Sequence, residues 1–82
     1  MPARRYRFHS TDGRDAVFDL TGRLVERQRE LRSHAVDVAR RLMERRASGV
    51  DWSCWTVEVY DATGRCAMYV PFVEACRGPR PR

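Results

Sequence analysis

The chain of 82 residues has no lysine, no isoleucine and no asparagine, so its 16 basic residues are all arginine. The missing residues need AT-rich codons, and a GC-rich coding sequence accounts for the set. Arginine still supplies a forked donor suited to phosphate and carboxylate. Long apolar runs are absent too, so no membrane span fits. The opening Met1-Pro2-Ala3-Arg4-Arg5 lacks the apolar core of a secretory signal. Cysteine is sparse: Cys54, Cys66 and Cys76 are odd in number and 12 and 10 positions apart. Zinc sites favour pairs such as C-x2-C, and His9 and His34 lie far away in sequence. The expectation is reduced, buried or half-buried thiols in a cytoplasmic protein, with no metal and no cofactor. No phosphate-binding G-x-x-x-x-G-K-S/T, no G-x-G-x-x-G and no H-E-x-x-H occurs.

What is present is enough for one small domain. Hydrophobic residues make up 43% and charged residues 33%, a globular balance. A chain of this length buries only about 60–70% of its extended surface, so the core is thin and a second copy would help it. A single domain is expected over residues 2–75, followed by a disordered basic tail over 76–82. The net charge of +5 is uneven. Residues 1–10, the helical stretch 23–48 and the tail are basic, whereas the turn-rich segments 11–22 and 49–76 are acidic.

Tyr6-Arg7-Phe8-His9 alternates, placing Tyr6 and Phe8 on one face and Arg5, Arg7 and His9 on the other. Ser10-Thr11-Asp12-Gly13 is turn chemistry. Ala16 to Leu20 reads as the return strand, with Ala16, Phe18 and Leu20 inward, and Thr21-Gly22 breaks it. From about Glu26 to Ala47 neither Gly nor Pro occurs. Leu24, Leu31, Ala35, Val38 and Leu42 then form one helical stripe, flanked by Ala39, whose small side chain lets a helix sit close to a sheet. Asp37 and Arg41 are an i,i+4 pair in the favourable order. Arg45 and Arg46 suit the last turn, and Gly49 suits the C′ position. No capping residue precedes Glu26, which leaves the helix start open. Trp55, Val57 and Val59 share a face of the next strand, opposite Thr56, Glu58 and Tyr60. Asp61-Ala62-Thr63-Gly64 turns the chain into Arg65–Val70, and Pro71 ends that strand or places it at an edge. Phe72 and Val73 can still reach the core.

The fold expected is α+β, in the order ββαββ: a four-stranded antiparallel sheet with one helix packed on one face. The sequence leaves open which strands are neighbours.

Several pieces resemble a known family of short proteobacterial proteins. These are Pro2-Ala-Arg-Arg-Tyr-Arg-Phe-His9, Asp12-Gly13 and Asp19-x-x-Gly22, then Ala35, Ala39, Leu42 and Met43. Trp55, Glu58-Val59, Asp61, Gly64-Arg65 and Val70-Pro71-Phe72 follow. The resemblance covers roughly residues 2–73, and the order and spacing of the pieces carry it. The family is catalogued as a domain of unknown function, so the resemblance implies no activity, cofactor or catalytic residue. Arg27 stands where the family usually has an Asp helix cap, and Cys54 where a small residue such as Gly is usual. The second departure argues against Cys54 as a shared functional thiol.

Acid–base catalysis needs titratable groups gathered in a cleft. His9 alternates onto the outer face, and His34 lies on the flank of the helical stripe; neither stands beside a nucleophile. Asp12 and Asp19 fit turn and strand-end roles, and they lack calcium-loop spacing. A non-enzymatic protein with no small-molecule substrate is expected. The primary expectation is an interaction module that self-associates through its free sheet face or edge. The alternative is a nucleic-acid-binding or regulatory accessory protein that uses the basic helix, the termini and outward tyrosines. Candidate partner-binding residues are Arg32, Val36 and Met43 on the helix, and Tyr60, Arg65 and Tyr69 on the second hairpin. Val36 and Met43 point away from the main stripe, near Arg32.

Overall fold

The computed structural model describes residues 2–46 and 49–76. Alternating side chains drive the first strand, β1 (Arg4–Thr11), as expected: Phe8 and Ser10 are buried and Tyr6 half-buried, while Arg7 faces outward. The Asp12 turn forms too, with Asp12 Oδ1 accepting from the N–H groups of Arg14 (2.8 Å) and Asp15 (2.7 Å).

The return strand differs from expectation. It comes in two short pieces, β2 (Ala16–Val17) and β3 (Arg23–Val25), both antiparallel to β1 along one edge. Val17 sits opposite buried Ser10, so Val17 faces the helix and Ala16 faces away, the reverse of the expected assignment. Phe18 and Leu20 are exposed rather than inward. The cause is Asp19, which takes over the strand ladder with its side chain. Its Oδ2 accepts from Phe8 N–H (3.1 Å), and its own N–H donates to His9 Nδ1 (3.0 Å). Its Oδ1 accepts from the N–H groups of Gly22 (2.9 Å) and Thr21 (3.2 Å). The chain therefore loops outward at 18–22 and rejoins β1 at Arg23. Gly22 is required there: its φ is +77°, and a Cβ would lie 2.9 Å from the carbonyl oxygen of Tyr6.

The long helix, α1 (Arg29–Arg45), starts later than the periodicity suggested. Gln28 stands at its N-cap with no side-chain hydrogen bond, which agrees with the missing cap residue. Leu31, Ala35 and Ala39 are buried, and Val38 and Leu42 are half-buried. Leu24, assigned to the same stripe, belongs to β3 and is exposed. Arg46 ends the helix by donating its N–H to the Leu42 carbonyl (3.2 Å). Gly49 takes its positive φ beyond that point and is not the C′ residue. Among the described residues, the ion pair joins Arg32 to Glu74 and not Asp37 to Arg41.

The second hairpin pairs β4 (Thr56–Tyr60) with β5 (Cys66–Pro71), and β4 also pairs antiparallel with β1. The sheet order is β2-β1-β4-β5, with β3 beside β1 on the β2 edge. Pro71 ends β5 as expected. A short helix not foreseen in the sequence, α2 (Phe72–Cys76), follows at once. Phe72 enters the core, whereas Val73 stays exposed. The class is thus α+β, an antiparallel sheet with helices on one face, though the strands number five and the helices two. The core lies between α1 and the sheet: Phe8, Val57, Val59, Val70 and Phe72 meet Leu31, Ala35 and Ala39. Trp52 stacks on Phe72 (ring centroids 5.4 Å), and Trp55 packs at 5.9 Å. The basic tail expected over 76–82 lies outside the described residues, except that Cys76 closes α2.

Candidate binding surfaces

The six residues proposed as partner contacts fall on opposite faces of the molecule. Arg32, Val36 and Met43 lie on the α1 side. There Arg32 pairs with Glu74 of α2, and Val36 and Met43 are half-buried against the core. Met43 Sδ is 3.9 Å from Cys76 Sγ, and Arg40 Nε donates to the Ala75 carbonyl (3.2 Å). The apolar pair expected to point outward is therefore largely covered by the chain's own α2. Its periodicity showed a second apolar strip but not the short helix that meets it. Arg65 stands in the β4–β5 turn, where its N–H donates to Asp61 Oδ1 (3.1 Å).

Tyr60 and Tyr69 share the sheet face away from α1, and the register explains why. His9, Glu58 and Tyr69 are successive cross-strand partners, so they form one row on one face. Arg7 lies opposite Tyr60 in the next row. The face holds a groove of about 620 Å³, lined by Arg5, Arg7, His9, Phe18, Glu58 and Tyr60 among others. Tyr60 donates its hydroxyl to Glu58 Oε1 (2.8 Å). That bond and the Glu58 charge push the phenol above its ordinary value of 10.0. The His9 ring meets Phe18 edge-on at 5.3 Å and Tyr60 at 5.5 Å. Its Nδ1 accepts from Asp19, which assigns the remaining ring proton to Nε2 in the neutral tautomer. Phe18 (65% exposed), Leu24 (57%) and Tyr69 (65%) are large hydrophobic side chains open to solvent around this face. Phe18 was missed because its alternation with Ala16 reads as an inward pattern.

A second groove, about 390 Å³, runs between α1 and the 17–23 loop. Phe8, Val17, Val38 and Leu42 line its apolar part, and Arg23, Arg41 and Arg45 its polar part. Ser10 and His34 also line it. The His34 ring meets Phe8 edge-on at 4.5 Å. Burial, reinforced by the charge of Arg23, holds its imidazole below the ordinary value of 6.5; Asp37 opposes this, Arg41 adds to it, and Asp19 opposes it. Partial burial pushes the Asp19 carboxyl up. The N–H groups of Gly22, Phe8 and Thr21 outweigh that and hold it below 3.8.

All three cysteines are free and exposed, contrary to the expectation of buried or half-buried thiols. Among the described residues, no group of three or more His, Cys, Asp or Glu side chains is placed to hold a metal ion. No described helix is long and apolar enough to cross a membrane.

A family model described as Domain of unknown function (DUF6894) matches residues 5–73. No curated protein and no solved structure gives a significant match.

Proposed function

The chain belongs to the DUF6894 family, and because that membership carries no activity we propose, from the residues themselves, a non-enzymatic interaction module that pairs with a second copy of itself through its outer sheet face. One observation carries this reading. A sheet face that no element of the described residues covers presents Phe18, Leu24 and Tyr69 to solvent beside charges of both signs. Exposed apolar groups grouped on one face mark an interaction surface. The charges select the partner. Arg5 and Arg7 stand on the same face as Glu58 and Asp61. A two-fold arrangement sets the arginines of one copy against the carboxylates of the other, the self-complementarity a symmetric dimer requires. The alternative ligand, nucleic acid, would use the same tyrosines. Glu58 and Asp61 then face phosphate, which costs binding energy, so a second copy is the better fit.

Light scattering on the full chain across a concentration series tests the reading. The expected result is a shift from one to two chains per particle. Tyr69→Asp, which places a charge on an exposed strand position, is expected to hold the protein at one chain with an unchanged circular dichroism spectrum. A single chain at every concentration overturns the proposal.

A further inference from the structure

We propose that the groove between α1 and the 17–23 loop binds a small amphipathic organic acid, its apolar body on the groove floor and its anionic head among Arg23, Arg41 and Arg45. Phe18 borders both this groove and the outer sheet face, but the arginines and apolar floor of the groove lie on the α1 side, so the inference does not depend on self-association. Three features point to this ligand class.

The first is charge without a partner. Arg23 comes from β3, and Arg41 and Arg45 from successive turns of α1, yet all three line one cleft. None is ion-paired among the described residues, where the pair is Arg32 with Glu74. The carboxylate that does line the cleft, Asp19, is occupied by the N–H groups of Phe8, Thr21 and Gly22. Three arginines lining one cleft, against a single carboxylate already taken up by backbone N–H groups, suit an incoming anion.

The second is an apolar floor beneath the cations. Half-buried Val17, Val38 and Leu42, packed over buried Phe8, give the ligand's body a surface to cover. A bare inorganic anion would leave that floor wet, and a nucleic-acid backbone would not need it. At about 390 Å³ the cleft falls within the usual range for small ligands, about 300–1,000 Å³.

The third is a polar side chain where the sheet pattern calls for an apolar one. Ser10 is 1% exposed and is the buried polar residue of the described core. Its strand partners are Val17 and Val57, and it lines the same groove. Its hydroxyl puts a polar group just beneath the cleft floor. Burial and the charges of Arg23 and Arg41, against those of Asp37 and Asp19, lower the titration point of the neighbouring His34, and an anion bound beside it will raise it.

The test titrates the full chain with sodium decanoate and with decyl phosphate, both below micelle formation, and with decanol as the uncharged control. Amide and side-chain resonances are followed by NMR. At least one acid is expected to move Phe8, Val38, Leu42 and His34, to raise the His34 titration point, and to bind at least tenfold more tightly than decanol. Loss of one charge-assisted contact in Arg41→Gln is expected to weaken the acid by about tenfold or more. Arg41 is exposed, so that variant will fold. Arg29→Gln, at the exposed start of α1, is expected to bind as the parent does. The proposal is overturned if neither acid binds, if decanol binds as well as the acids, if Arg41→Gln binds like the parent, or if the shifts map to Tyr60 and Tyr69.

Discussion

Asp19→Ala is the substitution from which the fold has most to lose outside its apolar core. It removes at once the acceptor used by the N–H groups of Phe8, Thr21 and Gly22. The three losses are unequal. Thr21 is exposed, so water replaces the carboxylate there at little cost. Phe8 is 2% exposed, and its N–H points at the edge where the ladder is already interrupted. A buried donor left unmade costs about 1–3 kcal/mol. With the charge-assisted bond to half-buried Gly22, the total comes to about 2–4 kcal/mol. Domains of this length lose about 4–8 °C in Tm per kcal/mol, so the midpoint falls by about 8–32 °C. Asp19→Asn sharpens the argument. Oδ1 serves Thr21 and Gly22 while Oδ2 serves Phe8. An amide has one acceptor oxygen, so it can satisfy one side and turns an NH₂ group toward the other. Its cost should be about half that of alanine, and not zero. Urea unfolding followed by Trp52 and Trp55 fluorescence gives both values, and amide exchange at Phe8 reports the lost bond directly. An alanine variant with the parent's urea midpoint, or an unchanged Phe8 exchange rate, refutes the reasoning.

Two further predictions rest on the same edge and its groove. Gly22→Ala should destabilise by more than about 1 kcal/mol, because it combines a positive φ with a Cβ 2.9 Å from the Tyr6 carbonyl oxygen. Gly64→Ala, also at positive φ but with nothing within 4 Å, should cost less, and thermal melts of the pair decide the point. Stability should fall with acid in two steps. His34 is held below 6.5, so the unfolded chain binds its proton first and stability declines as pH drops through and below that value. Asp19, held below 3.8, contributes fully above that value and is lost as pH falls further, through its own lower folded value. Urea midpoints from pH 8 to pH 3 measure both steps, and His34→Gln should remove its contribution to the upper one.

Much of the architecture could be read from the chain because it depends on local chemistry. The Asp12 and Asp61 turns form from side-chain oxygens accepting nearby N–H groups, within four residues. Tyr6 and Phe8, and Val57 and Val59, show their buried face by alternation alone. Leu31, Ala35 and Ala39 do so by helical spacing, and Pro71 marks the end of β5 because it has no N–H to donate. The outward tyrosines follow from the same rule, so one half of the candidate surface was legible.

The rest required the chain to fold back on itself. Ala16, Phe18 and Leu20 alternate as an inward face would, yet pairing Val17 with Ser10 reversed that face, since a shift of one residue exchanges the two sides of a strand. Asp19 then ended the ladder through bonds to Phe8 and His9, ten or more positions away, which no local pattern contains. Val36 and Met43 showed a second apolar strip on the helix, but only α2, arriving after β5, decided that the chain itself would cover it. Both grooves are likewise products of assembly, because periodicity records which way a side chain leaves its own backbone. What stands opposite is set by long-range packing, and that packing alone brought Arg23 across to Arg41 and Arg45.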